Sequence, residues 1–317
     1  MKNNVRYDLI DEASDGQKID NYLIKILKNV PKSHIYKLLR SGQVRVNKRR
    51  IKTDFKLSIG DSVRVPPFTS VTEIKKNISI KAEQKILIQK AIIYEDEEII
   101  AINKPAGLAV HGGSGLNYGL IELLRNFRSE ARFLELIHRI DKETSGIILI
   151  AKKRKALVDI HRQMRAKSIH KKYQVIVNGL WEKKQLVVDL DLLKITSNDG
   201  QKKVKVVAKD TDINGSKNSR SVFFLKDTYK DFSMLEVKLV TGRTHQIRVH
   251  LSHLGFPIVG DDKYGNFTLN KSHKKLGFKR MFLHAGEIGF LHPTTGDKCF
   301  LKAPLPSEFD KLKLYAK

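Results

Sequence analysis

Residues 137–152 read Ile-His-Arg-Ile-Asp-Lys-Glu-Thr-Ser-Gly-Ile-Ile-Leu-Ile-Ala-Lys, and this segment joins a polar loop to a strongly apolar run. The run from Gly146 to Ala151 is short, uncharged and rich in isoleucine, which predicts a buried β-strand. The polar residues before it then form a loop attached to a rigid element, where catalytic groups are commonly found. Asp141 is therefore a candidate catalytic carboxylate, although a solvated loop of surface charges fits the same residues.

The chain beyond residue 90 shows many strand patterns and few helical ones, most of them separated by Gly, Asp or Pro turns. The strand candidates are Glu98–Asn103, Gly146–Lys152, Tyr173–Val177, Leu186–Leu190, Lys203–Val207, Ser221–Leu225, Met234–Leu239, Met281–Phe290 and Cys299–Lys302. The helix candidates are Tyr118–Arg128, Lys155–Lys167 and His245–Leu254. This pattern predicts an α+β domain over residues 91–317, with a mixed, largely antiparallel sheet flanked by helices and loops.

Residues 16–66 have the pattern of a small separate module. Two stretches of apolar residues at helical spacing are followed by two segments that alternate as strands do. These elements are predicted over residues 19–27, 35–39, 44–46 and 61–65. The polar, lysine-rich segment 67–90 predicts a linker between the module and the second domain.

The basic side chains of this module are clustered, on its second helix and around the turn that follows. They are Lys32, Lys37, Arg40, Arg45, Lys48, Arg49, Arg50 and Lys52. Such a cluster on one supersecondary unit favours RNA binding over a merely solvated surface.

Three motifs, in order along the chain, resemble those of the RluA-type pseudouridine synthases. They are Asn103-Lys104-Pro105-Ala106-Gly107-Leu108-Ala109-Val110-His111, then His138-Arg139-Ile140-Asp141 with Thr144-Ser145-Gly146, then Val240 to Leu251 with Gly260 to Gly265. The small module resembles the S4 RNA-binding domain. Three further segments, Val30–Ser33, His111–Leu116 and Ala131–Leu136, resemble the branch of the family that modifies large-subunit ribosomal RNA. Only Ile140 and Lys142 depart from the usual central motif, and neither replaces the carboxylate.

The resemblance implies that the protein converts specific uridines in 23S ribosomal RNA, or in a precursor of the large subunit, to pseudouridine. This isomerisation needs an ionised carboxylate and no cofactor, and the resemblance assigns the carboxylate to Asp141. It implies that Arg243 is the fixed cation beside Asp141 and that Tyr173 stacks against the flipped base. Arg139 is expected to contact an RNA phosphate or to fill the position that the base leaves.

The composition agrees with a polyanionic partner. Lysine and arginine number 60 against 34 acidic residues, which gives a formal charge of +26, although an AT-rich genome would also enrich lysine. No apolar run approaches the length of a membrane span, and the amino-terminal residues lack the pattern of a secretory signal. We expect a cytoplasmic monomer without membrane association, in which the single Cys299 is a small core residue.

Other functions remain open at this point. A non-catalytic S4-type assembly factor would have the same module, and a synthase acting on another RNA such as tRNA would have the same motifs. A methyltransferase is disfavoured, because no glycine-rich loop follows a first strand. Residues 111–115 lack the spacing of a phosphate-binding loop, and His245, His250 and His253 lack the spacing of a metal site.

Overall fold

The computed structural model describes residues 4–27, 30–67, 82–112, 118–196, 202–208 and 213–310. These residues form two compact units. The first lies within Met1–Ile80 and includes Glu130–Phe133, and the second lies within Lys81–Ser129 and Leu134–Lys317. Most of the predicted linker and part of the glycine-rich segment after His111 fall outside the described residues.

The first unit is a small α+β module. Its elements are β1 (Arg6–Leu9), α1 (Ile19–Ile26), α2 (Lys32–Arg40), β2 (Arg45–Val46) and β3 (Ser62–Val65). Both other strands pair antiparallel with β3, so the sheet order is β1-β3-β2. The apolar faces of the two helices pack with the strands into one core that includes Leu23, Ile35 and Val63. Strand β1 precedes residue 16, and its pairing with β3 adds residues before the predicted module to the same sheet.

The second unit contains the remaining helices and strands. Its helices are α3 (Ala82–Ala91), α4 (Leu120–Phe127), α5 (Arg154–Arg165), α6 (Gln246–His253) and α7 (Phe267–Lys275). Its strands are β4 (Ile92–Glu95), β5 (Ile99–Lys104), β6 (Glu135–Leu136), β7 (Ser145–Ala151), β8 (His170–Asn178), β9 (Gln185–Thr196), β10 (Lys202–Val207), β11 (Lys217–Thr228), β12 (Phe232–Leu239), β13 (Leu283–Leu291) and β14 (Lys298–Lys302).

These strands form one mixed sheet of 11 strands with the main order β10-β9-β11-β12-β8-β13-β7-β5-β4. Strand β14 pairs with β13, and β6 pairs with β7. Neighbouring strands are antiparallel except for β7 and β13. The predicted fold class, a mixed and largely antiparallel α+β sheet after an amino-terminal module, is confirmed.

Two helices of the second unit differ from the sequence-based expectation. Helix α3 occupies the last part of the segment predicted as a linker, and its apolar residues do not repeat at the spacing that marks one buried face. Helix α7 is polar, and only Asn270 and His273 on it are buried. Both helices lack the apolar stripe on which a helix prediction depends.

Strand β7 is the element that places the central motif. All seven of its residues are buried between antiparallel β5 and parallel β13. Gly146 has φ +109° where the strand begins, and a Cβ there would lie 2.3 Å from the carbonyl oxygen of Ala285 on β13. Only glycine fits this close approach, so the polar loop that ends at β7 enters the sheet along a fixed path.

Candidate active site

A buried lysine ties the Asp141 loop to the first motif. Lys104, at the end of β5, donates from Nζ to the carbonyl oxygens of Pro105, Leu108 and Lys142 at 2.7–3.0 Å. Burial lowers the pKa of Lys104 to about 7, against the opposing charges of Glu143 and Asp141. Three carbonyl acceptors match the three donors of an ammonium group. The lysine therefore acts as an internal anchor for the backbone next to Asp141.

His138 attaches the other end of the loop to the sheet. Its Nε2 accepts the backbone N–H of Leu149 on β7 at 3.1 Å. Burial lowers the pKa of His138 to about 3, so the ring is neutral and Nε2 has a lone pair to accept with. The residues on both sides of Asp141 are thus held by β5 and β7.

The cation beside Asp141 is Arg248 on α6. Its Nη1 donates to Asp141 Oδ2 at 2.9 Å, while Nε and Nη2 donate to the two carboxylate oxygens of Asp261 at 2.8 Å each. Arg248 and Asp261 are both buried, and their two-pronged contact fixes the plane of the guanidinium. One oxygen of Asp141 is thereby held in place.

The charges of Asp261 and Asp141 favour the protonated form of Arg248, and Arg248 in turn favours the ionised form of Asp261. Burial would lower the pKa of Arg248, but hydrogen bonds and charge from Asp261, and then from Asp141, raise it above its ordinary value. Burial would likewise raise the pKa of Asp261, but Arg248 and the backbone N–H groups of Lys263 and Tyr264 lower it. Asp261 therefore stays ionised and keeps Arg248 in position.

The expected pairing of Arg243 with Asp141 is wrong. Arg243 lies in the loop before α6, its side chain is exposed, and its Nε donates to the carbonyl oxygen of Asn218 at 3.0 Å. The two arginines belong to the same motif, and the helix that starts at Gln246 turns the second of them toward the carboxylate. Motif spacing alone does not show which arginine faces inward.

The four predicted site residues of this domain nevertheless line one cavity. Arg139, Asp141, Tyr173 and Arg243 surround a space of about 300 Å³, together with His245 and Arg248. A second, larger cleft of about 620 Å³ shares Arg139, Asp141, His245 and Arg248. Asp141 therefore lies where the two spaces meet.

Tyr173 is buried in β8, in the part of the sheet next to β13. Burial, and then the nearby charge of Asp141, raise the pKa of its phenol, so the side chain is neutral at physiological pH. Its neutral aromatic ring lines the same cavity as the carboxylate. The ring belongs to the buried core and also borders the cavity, which suits a stacking surface for a base.

The larger cleft is strongly basic at its margin. Besides Arg139 it is lined by Lys142, Lys203, Lys263, Lys274, Lys279 and Arg280. Lys142, Lys274 and Lys279 are exposed, so their ammonium groups can reach a ligand in the cleft. The exposed carboxylates of Glu143 and Asp262 also border this cleft, but its basic residues outnumber the acidic ones, which suits an RNA strand whose phosphates the lysines would neutralise.

All eight predicted RNA-binding residues of the first unit are exposed. Three of them lie on α2, and the others surround a two-residue turn between Val46 and Arg49. Asn47 and Lys48 both have positive φ, 49° and 68°, and Val46 and Arg49 exchange backbone hydrogen bonds. This tight turn lifts Lys48 and Arg49 away from the core.

His250 has a partner in the fold. Its Nε2 lies 2.8 Å from the hydroxyl of Ser219, and burial lowers its pKa to about 4.

Over the described ranges, no group of three or more His, Cys, Asp and Glu side chains is placed to hold a metal ion. Among the helices that the structure describes, none is both long and apolar enough to cross a membrane.

Comparison with known proteins identifies the family. A family model described as RNA pseudouridylate synthase matches residues 98–253, and an S4 domain model matches residues 17–63. The ribosomal large subunit pseudouridine synthase C of Pasteurella multocida is 46% identical over 303 residues, covering 96% of this chain and 91% of the relative. The chain belongs to the RNA pseudouridylate synthase family.

A second relative has the same name. The Haemophilus influenzae protein is 45% identical over 305 residues and is covered to 93% of its length. Among solved structures, human RNA pseudouridylate synthase domain containing 4 matches with a TM-score of 0.60 at 24% identity. The match covers 73% of the present chain and 96% of the human protein's chain. At this sequence identity it shows the fold alone.

Sequence reasoning missed three residues of the synthase's site. Arg248 and Asp261 lie in the third motif, and the available signal was one arginine and one aspartate at the two ends of a segment that contains no other Arg, Lys, Asp or Glu. Lys104 lies in the first motif, where a lysine before proline resembles a surface turn. Its complete burial depends on contacts with residues 38 positions away, which sequence spacing does not reveal.

Proposed function

We propose that the synthase isomerises uridines in large-subunit ribosomal RNA and that Asp141 is its catalytic carboxylate. The relatives that match over nearly the whole chain are named ribosomal large subunit pseudouridine synthase C. The observation that carries the role of Asp141 is its geometry: Arg248 holds Oδ2, while the carboxylate lines the basic cleft. Such a substrate would place the enzyme in the cytoplasm.

The reaction breaks the bond between N1 of the base and C1′ of the ribose and then joins C5 to C1′. N1 ends with a proton and C5 loses one, so the reaction needs no oxidant and no group donor. Asp141 either attacks the sugar or removes a ribose proton, and both routes require the ionised carboxylate. Arg248 favours that ionised state because a guanidinium does not lose its proton near neutral pH.

The remaining site residues receive binding roles in this proposal. Tyr173 stacks on the flipped uracil, and base–aromatic stacking contributes roughly 1–3 kcal/mol, which offsets much of the cost of flipping. The exposed Arg139 is two residues from Asp141 and contacts a phosphate or fills the vacated position in the RNA stack. Arg243 borders the same cavity and binds the RNA rather than Asp141.

The test is an Asp141→Asn substitution in the full-length protein. The amide keeps the shape of the side chain but can neither attack nor take a proton, so turnover should fall by at least about a thousandfold. RNA affinity should stay within a few-fold of the wild-type value. Turnover near the wild-type rate, in a folded variant, would assign the chemistry to another residue.

Mapping of pseudouridine in cells tests the substrate. Cells that lack the gene should lose specific pseudouridines from 23S ribosomal RNA, and a wild-type copy, but not the Asp141→Asn copy, should restore them. Transfer RNA from the same cells is the matched comparison. Loss of tRNA sites with intact 23S sites would transfer the activity to tRNA, and no loss in either RNA would support a non-catalytic assembly role.

A further inference from the structure

The second oxygen of Asp141 faces a histidine. Nε2 of His245 lies 3.8 Å from Asp141 Oδ1, beside the oxygen that Arg248 does not hold. This distance is longer than a hydrogen bond, yet it brings the edge of the ring against the carboxylate. The other ring nitrogen, Nδ1, lies 2.8 Å from the hydroxyl of Tyr264. The ring thus connects Tyr264 to Asp141.

The hydroxyl of Tyr264 decides which nitrogen of His245 has the proton. It accepts the backbone N–H of Val204 on β10 at 3.0 Å, and it has one proton of its own to donate. Within the described residues, Nδ1 of His245 lies 2.8 Å from this hydroxyl and is placed to accept its proton. With the hydrogen bond in that direction Nδ1 is unprotonated, and the ring proton lies on Nε2, on the side of Asp141.

The ring is held in its neutral form. Burial lowers the pKa of His245, and Arg248 and Lys263 lower it further, whereas Asp141 and Asp261 act in the opposite direction. At neutral pH the side chain therefore presents one N–H to the carboxylate and forms no ion pair with it.

The backbone at His245 is also unusual. The residue has φ +53° at the amino terminus of α6, a left-handed conformation that is uncommon outside glycine and that asparagine, aspartate and histidine adopt more often than other residues. The ring of Tyr264 lies beneath the guanidinium of Arg248, 5.1 Å from it. One tyrosine therefore contacts both groups that approach Asp141, and His245 faces that carboxylate from a left-handed backbone position.

We propose that His245 is a positioning residue, whose Nε2–H, set by Tyr264, keeps Oδ1 of Asp141 directed at the ribose of the bound uridine. This inference rests on the proposed function of Asp141. Arg248 then binds Oδ2 through a hydrogen bond, while the N–H of His245 faces Oδ1 across 3.8 Å and attracts its negative charge, so that the two groups together oppose rotation of the carboxylate about its Cβ–Cγ bond. A rotation would turn the reacting oxygen out of line with the sugar.

Two substitutions at His245 separate positioning from structural support. In His245→Gln the amide nitrogen can occupy the region of Nε2, whereas in His245→Asn it reaches only the region of Nδ1. Asparagine tolerates the left-handed backbone better than glutamine does. We expect the Asn variant to have the higher Tm and the Gln variant to have the higher kcat, by at least about fivefold, with little change of KM in either. If kcat follows Tm across the two variants, His245 is only structural.

Imidazole ¹⁵N chemical shifts provide a test that needs no substrate. The His245 signal, assigned by its loss in the Gln variant, should show the Nε2–H tautomer in the wild-type protein and a mixture of tautomers in Tyr264→Phe. Tyr264→Phe keeps the ring under Arg248 and should lower kcat by about three- to tenfold. A wild-type Nδ1–H tautomer, or an unchanged kcat in Tyr264→Phe, would overturn the proposal. An active Asp141→Asn variant would instead defeat the proposed function and leave the tautomer result intact.

Discussion

Arg248 Nη1 lies 2.9 Å from Asp141 Oδ2, and the rest of the same guanidinium is bound by the buried Asp261. The buried ion pair of Arg248 and Asp261 thus sets the orientation of the Asp141 carboxylate. Removing one partner of such a pair leaves an uncompensated charge, which costs several kcal/mol. Substitution of Arg248 or Asp261 should therefore lower the stability of the protein as well as disturb the orientation of Asp141.

We expect Arg248→Lys to lose at least about a hundredfold in kcat. Lysine retains the positive charge but cannot donate to Asp261 and Asp141 at once with a planar fork. Single-turnover kinetics on an RNA substrate, with Tm measured in parallel, would check this. A folded Arg248→Lys enzyme with wild-type kcat would show that the fork does not orient Asp141.

Arg243→Lys is the matched control, because it makes the same chemical change five positions earlier in the same motif. Arg243 is exposed and donates to a backbone carbonyl, so we expect a change in RNA affinity and only a small change in kcat. Equal losses of kcat in both variants would restore Arg243 as a partner in the chemistry.

The sequence contained enough information to predict the buried strand and the loop before it. Strand β7 is marked by uninterrupted apolar residues, and Asp141 is marked by its position next to that strand. The pairing of Asp141 with Arg248 was not predictable from residue spacing, since it joins residues 107 positions apart. Which arginine of the motif faces Asp141 depends on where α6 begins. Helix boundaries are the least certain part of a structure prediction from sequence.

Helix α3 and the burial of Lys104 are two further features that the sequence pattern does not predict. The helix has no apolar stripe, so its packing rather than its pattern stabilises it. Lysine is almost never fully buried, so a sequence reading assigns Lys104 to the surface. The residue is nevertheless fully buried, because three carbonyl groups from two separate loops, two after β5 and one beside Asp141, satisfy its ammonium group. Such a set of acceptors exists only after the chain has folded.

We expect Tyr173→Leu to lower kcat/KM by roughly 5- to 150-fold. Leucine fills a similar buried volume but offers no aromatic face, and stacking of a base contributes roughly 1–3 kcal/mol. Steady-state kinetics on a short uridine-containing hairpin would measure the loss. The Tm should fall only slightly, and a large drop in Tm with unchanged kcat/KM would identify Tyr173 as a core aromatic.

Tyr173→Phe is the control for the ring. It keeps the aromatic face and removes the hydroxyl, so RNA affinity should match that of the wild-type enzyme. A lower kcat in this variant, with affinity intact, would assign a separate role to the hydroxyl. Weaker RNA binding in the Phe variant would contradict a stacking role for the ring.

The basic turn of the first unit should contribute to the salt dependence of RNA binding. Replacing Lys37, Lys48 and Arg49 by alanine in the full-length chain removes three exposed cations. Each phosphate contact contributes a slope of roughly 0.7–0.9 in log Kd against log salt, so the slope should fall by about 2. Turnover at saturating RNA should persist, because the chemistry lies in the other unit.

A matched triple variant controls for the change in net charge. Lys183, Lys226 and Lys230 are exposed lysines of the second unit that line neither described cavity of the active site. Their replacement by alanine should leave the salt slope nearly unchanged. Equal slopes in the two triple variants would mean that total charge, and not the S4 module, sets RNA affinity.

Buried neutral histidines should make the protein acid-sensitive. Burial lowers the pKa of His250 and of His284 to about 4 each, from the ordinary 6.5. Between those values the unfolded chain binds protons that the folded chain does not, so stability falls as pH decreases from 6.5 to about 4 and is unaffected above that range. Together with His138, whose pKa burial lowers to about 3, these groups contribute a slope of up to about 4 kcal/mol per pH unit, which urea unfolding between pH 7 and 4.5 would measure.

His250→Gln isolates one of these contributions. Glutamine can still reach the hydroxyl of Ser219 with its amide group but does not titrate, so the slope below pH 6 should fall by about 1.4 kcal/mol per pH unit. The measurement stops at pH 4.5 because Asp261, whose pKa is held below 3.8, contributes only under more acid conditions. An unchanged slope in His250→Gln would mean that His250 becomes protonated without unfolding, and that its burial does not keep the ring neutral.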